Sequence, residues 1–177
     1  MQEIIYQNRI PKDFFITKGA GDSNLALHAG SYHLALKAAD IEKYNIITYS
    51  SILPKESTEV KKPDNLIFGS VLETIMAVAN GTQGQKISAG IAVGWLKDKF
   101  TDEIIGGLVC EHAGFVGLET LKRRLMASLS EIFLNSFHDD YTLNNIKLTT
   151  IEHEVTKKYG TALVSLCFIN HIYRQEQ

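Results

Sequence analysis

Ser50 and Ser51 stand side by side among apolar residues, ahead of Pro54, in the run NIITYSSILP. A serine hydroxyl can attack a carbonyl and form a covalent intermediate, which makes the pair the most suggestive nucleophile in the chain; a Ser-Ser dipeptide without a role is the bland alternative. Glu111 lies in GGLVCEHAGF, a carboxylate within an apolar strand. Desolvation there would favour its protonated form and equip it as a proton donor, whereas a strand-end Glu facing solvent needs no function. Other groups carry weaker signals. Gly19-Ala20-Gly21 follows the apolar Phe14-Phe15-Ile16, but Asn24 stands where a dinucleotide loop needs a third glycine, so residues 19–24 read as a tight strand-to-helix turn. Glu152-His153-Glu154 and His138-Asp139-Asp140 contain ligand types, yet neighbours on a strand point to opposite faces and no second His falls at metal spacing, so no metal is expected. Cys110 and Cys167 each sit in an apolar run and read as buried reduced thiols.

These groups need elements to position them. Residues 24–43 read as a helix capped by Ser23 or Asn24, and residues 45–53 as a β-branched strand that Pro54 ends. Residues 55–64, KESTEVKKPD, form a polar surface loop. Three apolar, Gly-bearing segments follow at 66–78, 87–96 and 104–112. The turn signals Asn80-Gly81 with Gly84, and LKDKFTDE, separate them, which predicts an antiparallel meander. Leu118, Leu121, Leu125, Leu129, Ile132 and Phe133 recur at spacings of three and four, predicting a helix over 118–137. Asp139-Asp140 and Asn144-Asn145 bracket its exit, and residues 146–155 and 161–173 read as two last strands. Strands in consecutive runs outnumber helices, which argues α+β with an antiparallel or mixed sheet and helices packed on it. No repeat or linker divides the chain.

The 177 residues suffice for one domain that buries roughly 70% of its unfolded surface. With 18 Lys+Arg against 20 Asp+Glu and no basic cluster, no nucleic-acid or anionic-membrane partner is expected. Lys12 and Asp13 fall where a secretory signal needs its apolar stretch, and no run approaches the ~18 apolar residues of a membrane span, so the expected location is cytoplasmic.

Taken together, ITKGAGDSN, KYNIITYSSILPKE, VLETIMAVANG, SAGIAVGWLKDK, IIGGLVCEHAGF and IEHEVTKKYGTAL resemble the pyruvoyl-dependent arginine decarboxylase family, nearer its bacterial branch, over residues 16–166. The most specific part is the ungapped N-x-x-x-x-[ST]-S-x-L-P block from Asn45 to Pro54. The resemblance implies self-cleavage between Ser50 and Ser51, leaving residues 1–50 as the β chain and 51–177 as the α chain, with Ser51 converted to a covalent pyruvoyl cofactor. In that chemistry Ser51 Oγ attacks the Ser50 carbonyl, elimination splits the resulting ester, and the ketone left behind forms a Schiff base with a substrate amino acid, which then loses CO2. Glu111 is implied as the acid that returns a proton to the α-carbon, and Asn45 as the amide that holds a carbonyl at the site. Ile52, beside the cofactor, is implied as a substrate contact. A layered αββα sandwich, and homotrimers with active sites between neighbouring subunits, follow from the same resemblance.

One position departs from the pattern. Twelve residues before Asn45, where arginine-specific members carry an acid for the guanidinium, stands His33, with Lys37 one helical turn on. A carboxylate grips a guanidinium through two charge-assisted hydrogen bonds, and a histidine offers one acceptor at best. Arginine stays the nominal substrate because the resembled family is named for it, beside three alternatives. His33 and Lys37 favour an amino acid with a polar or acidic side chain; Asp22, Asp40 or Glu42 replaces the missing acid; or the chain is an uncleaved relative that binds a ligand without turnover.

Overall fold

Alternating burial along the strands builds two sheets that share one interior. The structure, a computed structural model, describes residues 6–25 and 27–175. In chain order the elements are β1 (Tyr6–Pro11), β2 (Asp13–Ser23), α1 (Leu27–Ala38), β3 (Asn45–Thr48), β4 (Ile52–Pro54), β5 (Thr58–Glu59) and β6 (Val71–Thr82). Then come β7 (Lys86–Asp98), β8 (Ile104–Gly114), α2 (Leu118–Ser136), β9 (Tyr141–Glu154), β10 (Tyr159–Phe168) and β11 (His171–Gln175). A five-stranded mixed sheet runs β3-β6-β10-β2-β5, an antiparallel four-stranded sheet runs β4-β8-β7-β9, and β1 pairs with β11 as a separate ribbon.

Strand β10 shows why the layers stack as they do. Val164, Leu166 and Phe168 point into the interior between the sheets, with Leu53, Ile75, Ile91 and Val109, while Leu163 and Cys167 point outward under α1. A strand buried on both faces reads as the continuous run ALVSLCF. On the other side Leu108 and Cys110 of β8 meet Leu121, Leu125 and Leu129 of α2, the stripe expected from the three-and-four spacing. The order of layers is helix, sheet, sheet, helix, the α+β sandwich anticipated from the sequence. Both cysteines are free and buried, and burial pushes the thiols up to about 11 at Cys110 and about 12 at Cys167. Among the described residues no helix is long and apolar enough to cross a membrane, and no three His, Cys, Asp or Glu side chains are grouped to hold a metal ion.

Several sequence expectations are corrected. Residues 19–23 are strand, not turn: Gly19 and Gly21 lie within β2 where α1 crosses it, and a Cβ would fall 2.6 Å from Ala39 N at the first and 2.5 Å from Leu34 Cβ at the second. The glycines admit a helix. Helix α1 is shorter than residues 24–43. It stops at Ala38 because Asp40 adopts a left-handed φ of 56° and the chain reverses through bonds from Asp40 N to Lys37 O and Ile41 N to Leu36 O. Asp40 thus takes the place usually given to glycine in a Schellman cap, and Ile41 and Leu36 make the accompanying apolar contact.

The meander is replaced by a crossing. β7 and β8 do form an antiparallel pair, but β6 joins the other sheet, its two edges taken by β10 and β3, and continues through Asn80-Gly81 to a turn at Gly84. A hairpin connection says that two strands are neighbours and not whether they pair or stack. Strand β9 begins at Tyr141 and absorbs Asn144-Asn145, where a left-handed Asn145 marks the register shift against β7. The segment 161–173 divides into β10 and β11, and the polar loop contains the two-residue β5.

Candidate active site

The expected strand 45–53 is two strands in two sheets, and Ser50-Ser51 is the step between them. β3 pairs in parallel with β6 from Asn45 opposite Val71 to Thr48 opposite Thr74, after which Tyr49 N donates to Thr74 O at 2.6 Å. On the far side Ser51 O accepts from Val109 N at 2.9 Å, and Ile52 continues opposite Leu108 in the other sheet. Ser50 belongs to neither ladder and is exposed. The bond between the serines is therefore held from both ends, with one unladdered residue in the gap.

Period-two alternation then brings a carboxylate to Ser51. Leu53 and Val109 both fill the inter-sheet core. Two residues from each, on the same faces, are Ser51 and Glu111. At the rim of the sandwich Ser51 Oγ donates to Glu111 Oε2 at 3.3 Å. Glu111 is exposed, so the apolar burial expected from its flanks is not supplied by a single chain; Phe115, four residues on, is itself 63% exposed. Ile52 alternates to the opposite face and is 57% exposed.

The remaining candidates do not converge on Ser51. Asn45 opens β3, and its amide donates to Gly69 O at 2.7 Å. Three extended steps separate it from Thr48, roughly 10 Å along the strand, with Ser51 beyond that. His33 and Lys37 are exposed one turn apart on α1, over β2 and β10, and make no hydrogen bond or ion pair among the described residues. Two of the replacement acids are engaged elsewhere. Asp40 pairs with Lys62, whose Nζ also donates to Asp40 O at 2.7 Å. Glu42 has one carboxylate oxygen buried without a hydrogen-bond partner among the described residues.

Asp22 ties the two sheets together, accepting from His153 Nε2 at 2.6 Å, Thr156 N at 2.9 Å and Thr156 Oγ1 at 2.5 Å. Burial raises its carboxyl, but the hydrogen bonds from Thr156 and His153 outweigh burial and hold it below the ordinary carboxylate range. A depressed carboxylate stabilises the fold above its unfolded pKa of roughly 4, and that contribution is lost as pH falls through the lower folded value. Asp22→Asn should thus cost about 2 kcal/mol at neutral pH and flatten the acid limb of a stability-versus-pH curve. Denaturant melts at several pH values measure both, and an unchanged acid limb would contradict the assignment.

Sequence reasoning passed over Tyr49 and its partners. Glu73 of β6 is buried, its side chain only 4% exposed, and it pairs with Arg9 of β1. Arg9 also donates to Tyr49 Oη at 2.9 Å and hydrogen-bonds Tyr173. His171 Nε2 stands 2.5 Å from the second Glu73 oxygen, off the direction of a hydrogen bond. Burial, then the neighbouring Glu73, pushes the Tyr49 phenol above its ordinary value. Burial holds His171 below its own, against the pull of the same carboxylate. One signal was available: Glu73 is the lone charge in VLETIMAVA.

The family model described as pyruvoyl-dependent arginine decarboxylase matches residues 13–173 of the chain. A pyruvoyl-dependent arginine decarboxylase AaxB of Chlamydia muridarum is 32% identical over 187 aligned residues, covering 93% of this chain and 94% of the relative. The AaxB protein of Chlamydia trachomatis serovar L2 is 31% identical with the same coverage. A pyruvoyl-dependent arginine decarboxylase of Picrophilus torridus is 28% identical over 81% of this chain and 85% of its own.

Proposed function

The chain belongs to the pyruvoyl-dependent arginine decarboxylase family, and we propose that it is a self-processing amino-acid decarboxylase with Ser51 as the source of its cofactor and arginine as the nominal substrate. The observation that carries this reading is the pairing of Ser51 Oγ with Glu111 at the unladdered step between two sheets. The residues present fit the group: a hydroxyl poised beside its own preceding peptide, and a carboxylate within reach.

In the cleavage reaction Ser51 Oγ bonds to the Ser50 carbonyl carbon as the carbon–nitrogen bond of that peptide breaks, so an ester replaces the amide and the Ser51 nitrogen takes a proton. Loss of the Ser51 α-proton then expels Ser50 as a free carboxylate and leaves a carbon–carbon double bond at residue 51. Water replaces the nitrogen as ammonia, giving the ketone. Once formed, the pyruvoyl group supplies the carbonyl that accepts electrons as substrate CO2 departs. The chain's part is then to orient the amino acid and to deliver a proton to its α-carbon, and the hydrogen bond of Glu111 to Ser51 supports Glu111 as the donor.

The remaining candidates complete the site from a neighbouring copy in a homotrimer. The support is that Asn45, His33 and Lys37 lie away from Ser51 in one chain, while Ile52, Phe115 and Glu111 face outward. Mixing Ser51→Ala chains with Asn45→Ala chains should restore activity, approaching about a quarter of the wild-type sites for a heterologous interface with random assembly. Mixtures as inactive as either parent would remove Asn45 from the neighbour's half-site. The expected compartment is the cytoplasm.

A second reading of the substrate rests on His33 and Lys37, two side chains able to carry positive charge, one turn apart on α1 with no acid bound to either among the described residues. It holds that a polar or acidic side chain is preferred over arginine. CO2 release from arginine, ornithine, lysine, glutamate, aspartate and neutral amino acids decides between the two. Arginine as the strong preference of the wild type, with no gain in His33→Asp, excludes the second reading. Release from none of them, by a chain that a denaturing mass spectrum shows intact, excludes the enzyme.

A further inference from the structure

The strand leading into the Ser50–Ser51 bond ends in a charged cluster around the buried Glu73, with Arg9 partly exposed, for which decarboxylation has no use. Removing a carboxylate from water is costly unless it is paired and hydrogen-bonded, and an apolar contact of the same size would hold strand to strand at least as well. Glu73 is nevertheless buried there, between Arg9 of the first strand and His171 of the last. What the cluster grips besides those strands is Tyr49. The phenol accepts from Arg9 at 2.9 Å, its ring rests on Phe168 with centroids 5.8 Å apart, and its backbone N–H is fixed on Thr74. Only Ser50 separates this anchor from the carbonyl that must be attacked.

We propose that Arg9, Glu73 and Tyr49 form a positioning site for self-cleavage, holding the Ser50 carbonyl against Ser51 Oγ and retaining Tyr49-Ser50 as the new C-terminus once the bond is cut. The proposal rests on the reading that the Ser50–Ser51 bond is the one cleaved. Its physical basis is the geometry of attack. Reacting atoms must approach to about 3–3.5 Å, and a displacement of about 1 Å can cost roughly a hundredfold in rate. Val109 fixes the Ser51 side of the bond and the cluster fixes the Ser50 side, so release of either lets the carbonyl drift. The three residues touch no substrate and act through the placement of Ser50.

Freshly synthesised full-length chain, followed over time by denaturing mass spectrometry, gives the cleavage rate apart from turnover. Tyr49→Phe keeps the ring and the backbone bond and loses only the hydroxyl; it should slow cleavage by about tenfold or more with its melting temperature unchanged. Glu73→Gln should slow it similarly, and Arg9→Lys should retain more of the rate than Arg9→Met. Tyr49→Phe protein that has completed cleavage should show wild-type kcat and KM. Should Tyr49→Phe cleave as fast as a cleaving wild type, or the variants slow only in proportion to lost stability, the positioning role is overturned alone. A wild-type chain that stays whole overturns the cleavage reading, and the positioning site with it.

Discussion

Ser51→Ala should leave an uncut chain of 177 residues that releases no CO2 from any amino acid. The loss should be complete because, on this reading, one residue serves twice: Ser51 Oγ is the attacking atom, and the carbons of the same residue become the cofactor. No neighbouring side chain can substitute for it, since the cofactor's carbonyl must form at residue 51. Folding should survive. Ser51 lies at the rim, and its side chain contributes one 3.3 Å hydrogen bond to an exposed carboxylate, about 1 kcal/mol or less. Ser51→Cys should still cut, because a thiol can make the same acyl shift, whereas Ser50→Ala should cut normally, since residue 50 contributes only its carbonyl. Denaturing mass spectra of the three variants separate these outcomes. Two fragments from Ser51→Ala, or CO2 from it, would refute the assignment of Ser51.

Glu111→Gln should part cleavage from catalysis. Glutamine keeps an oxygen that can accept from Ser51 Oγ, so the chain is still cut. It cannot deliver a proton to carbon, and kcat for decarboxylation should fall by about 10²- to 10⁴-fold, roughly 3–5 kcal/mol of barrier. Since the carboxyl serves the transition state rather than the ground state, KM should move little. Single-turnover CO2 release by the fully cleaved variant is the decisive measurement. A cleaved Glu111→Gln enzyme with wild-type kcat would mean that another group carries the proton.

The pair at the centre of both predictions could not be seen as a pair in the sequence. Ser51 and Glu111 are 60 positions apart, and only the register of β4 on β8 sets their side chains on one face of one sheet. Local chemistry was easier to read. The three-and-four spacing of Leu118, Leu121, Leu125 and Leu129 located α2 to within a residue at its end, because a helix facing a sheet must repeat that way. NIITYSSILP signals extended backbone but reads as one strand, since nothing in β-branched composition marks a change of sheet. The N-terminal strands were overlooked for a related reason. Gly19 and Gly21 suggest a turn when viewed locally, and their purpose, leaving room for α1, exists only after the helix has folded back. Tyr49, Glu73 and Arg9 lie 24 to 64 positions from one another, and only the lone charge in an apolar strand hints at them.

Strand β2 lies inside the five-stranded sheet, between β10 and the short edge strand β5, with β3 at the other edge on β6 and β1 paired to β11. All three come from the part of the chain that precedes Ser51. Cutting there breaks no ladder, but it changes the molecularity of folding. Before the cut, unfolding and refolding involve one molecule; afterwards each protomer is a complex of two polypeptides that must find each other. Midpoints of mature protein should then shift with concentration, while those of the uncut Ser51→Ala protomer should be free of this fragment-pairing dependence. Denatured mature enzyme would regain its sheet only by a second-order encounter in which β2 inserts between strands of the other piece. If the chain is cut at Ser51, synthesis has to run in one direction, folding first and cutting second, and persistence of the mature sandwich would then rest on slow unfolding.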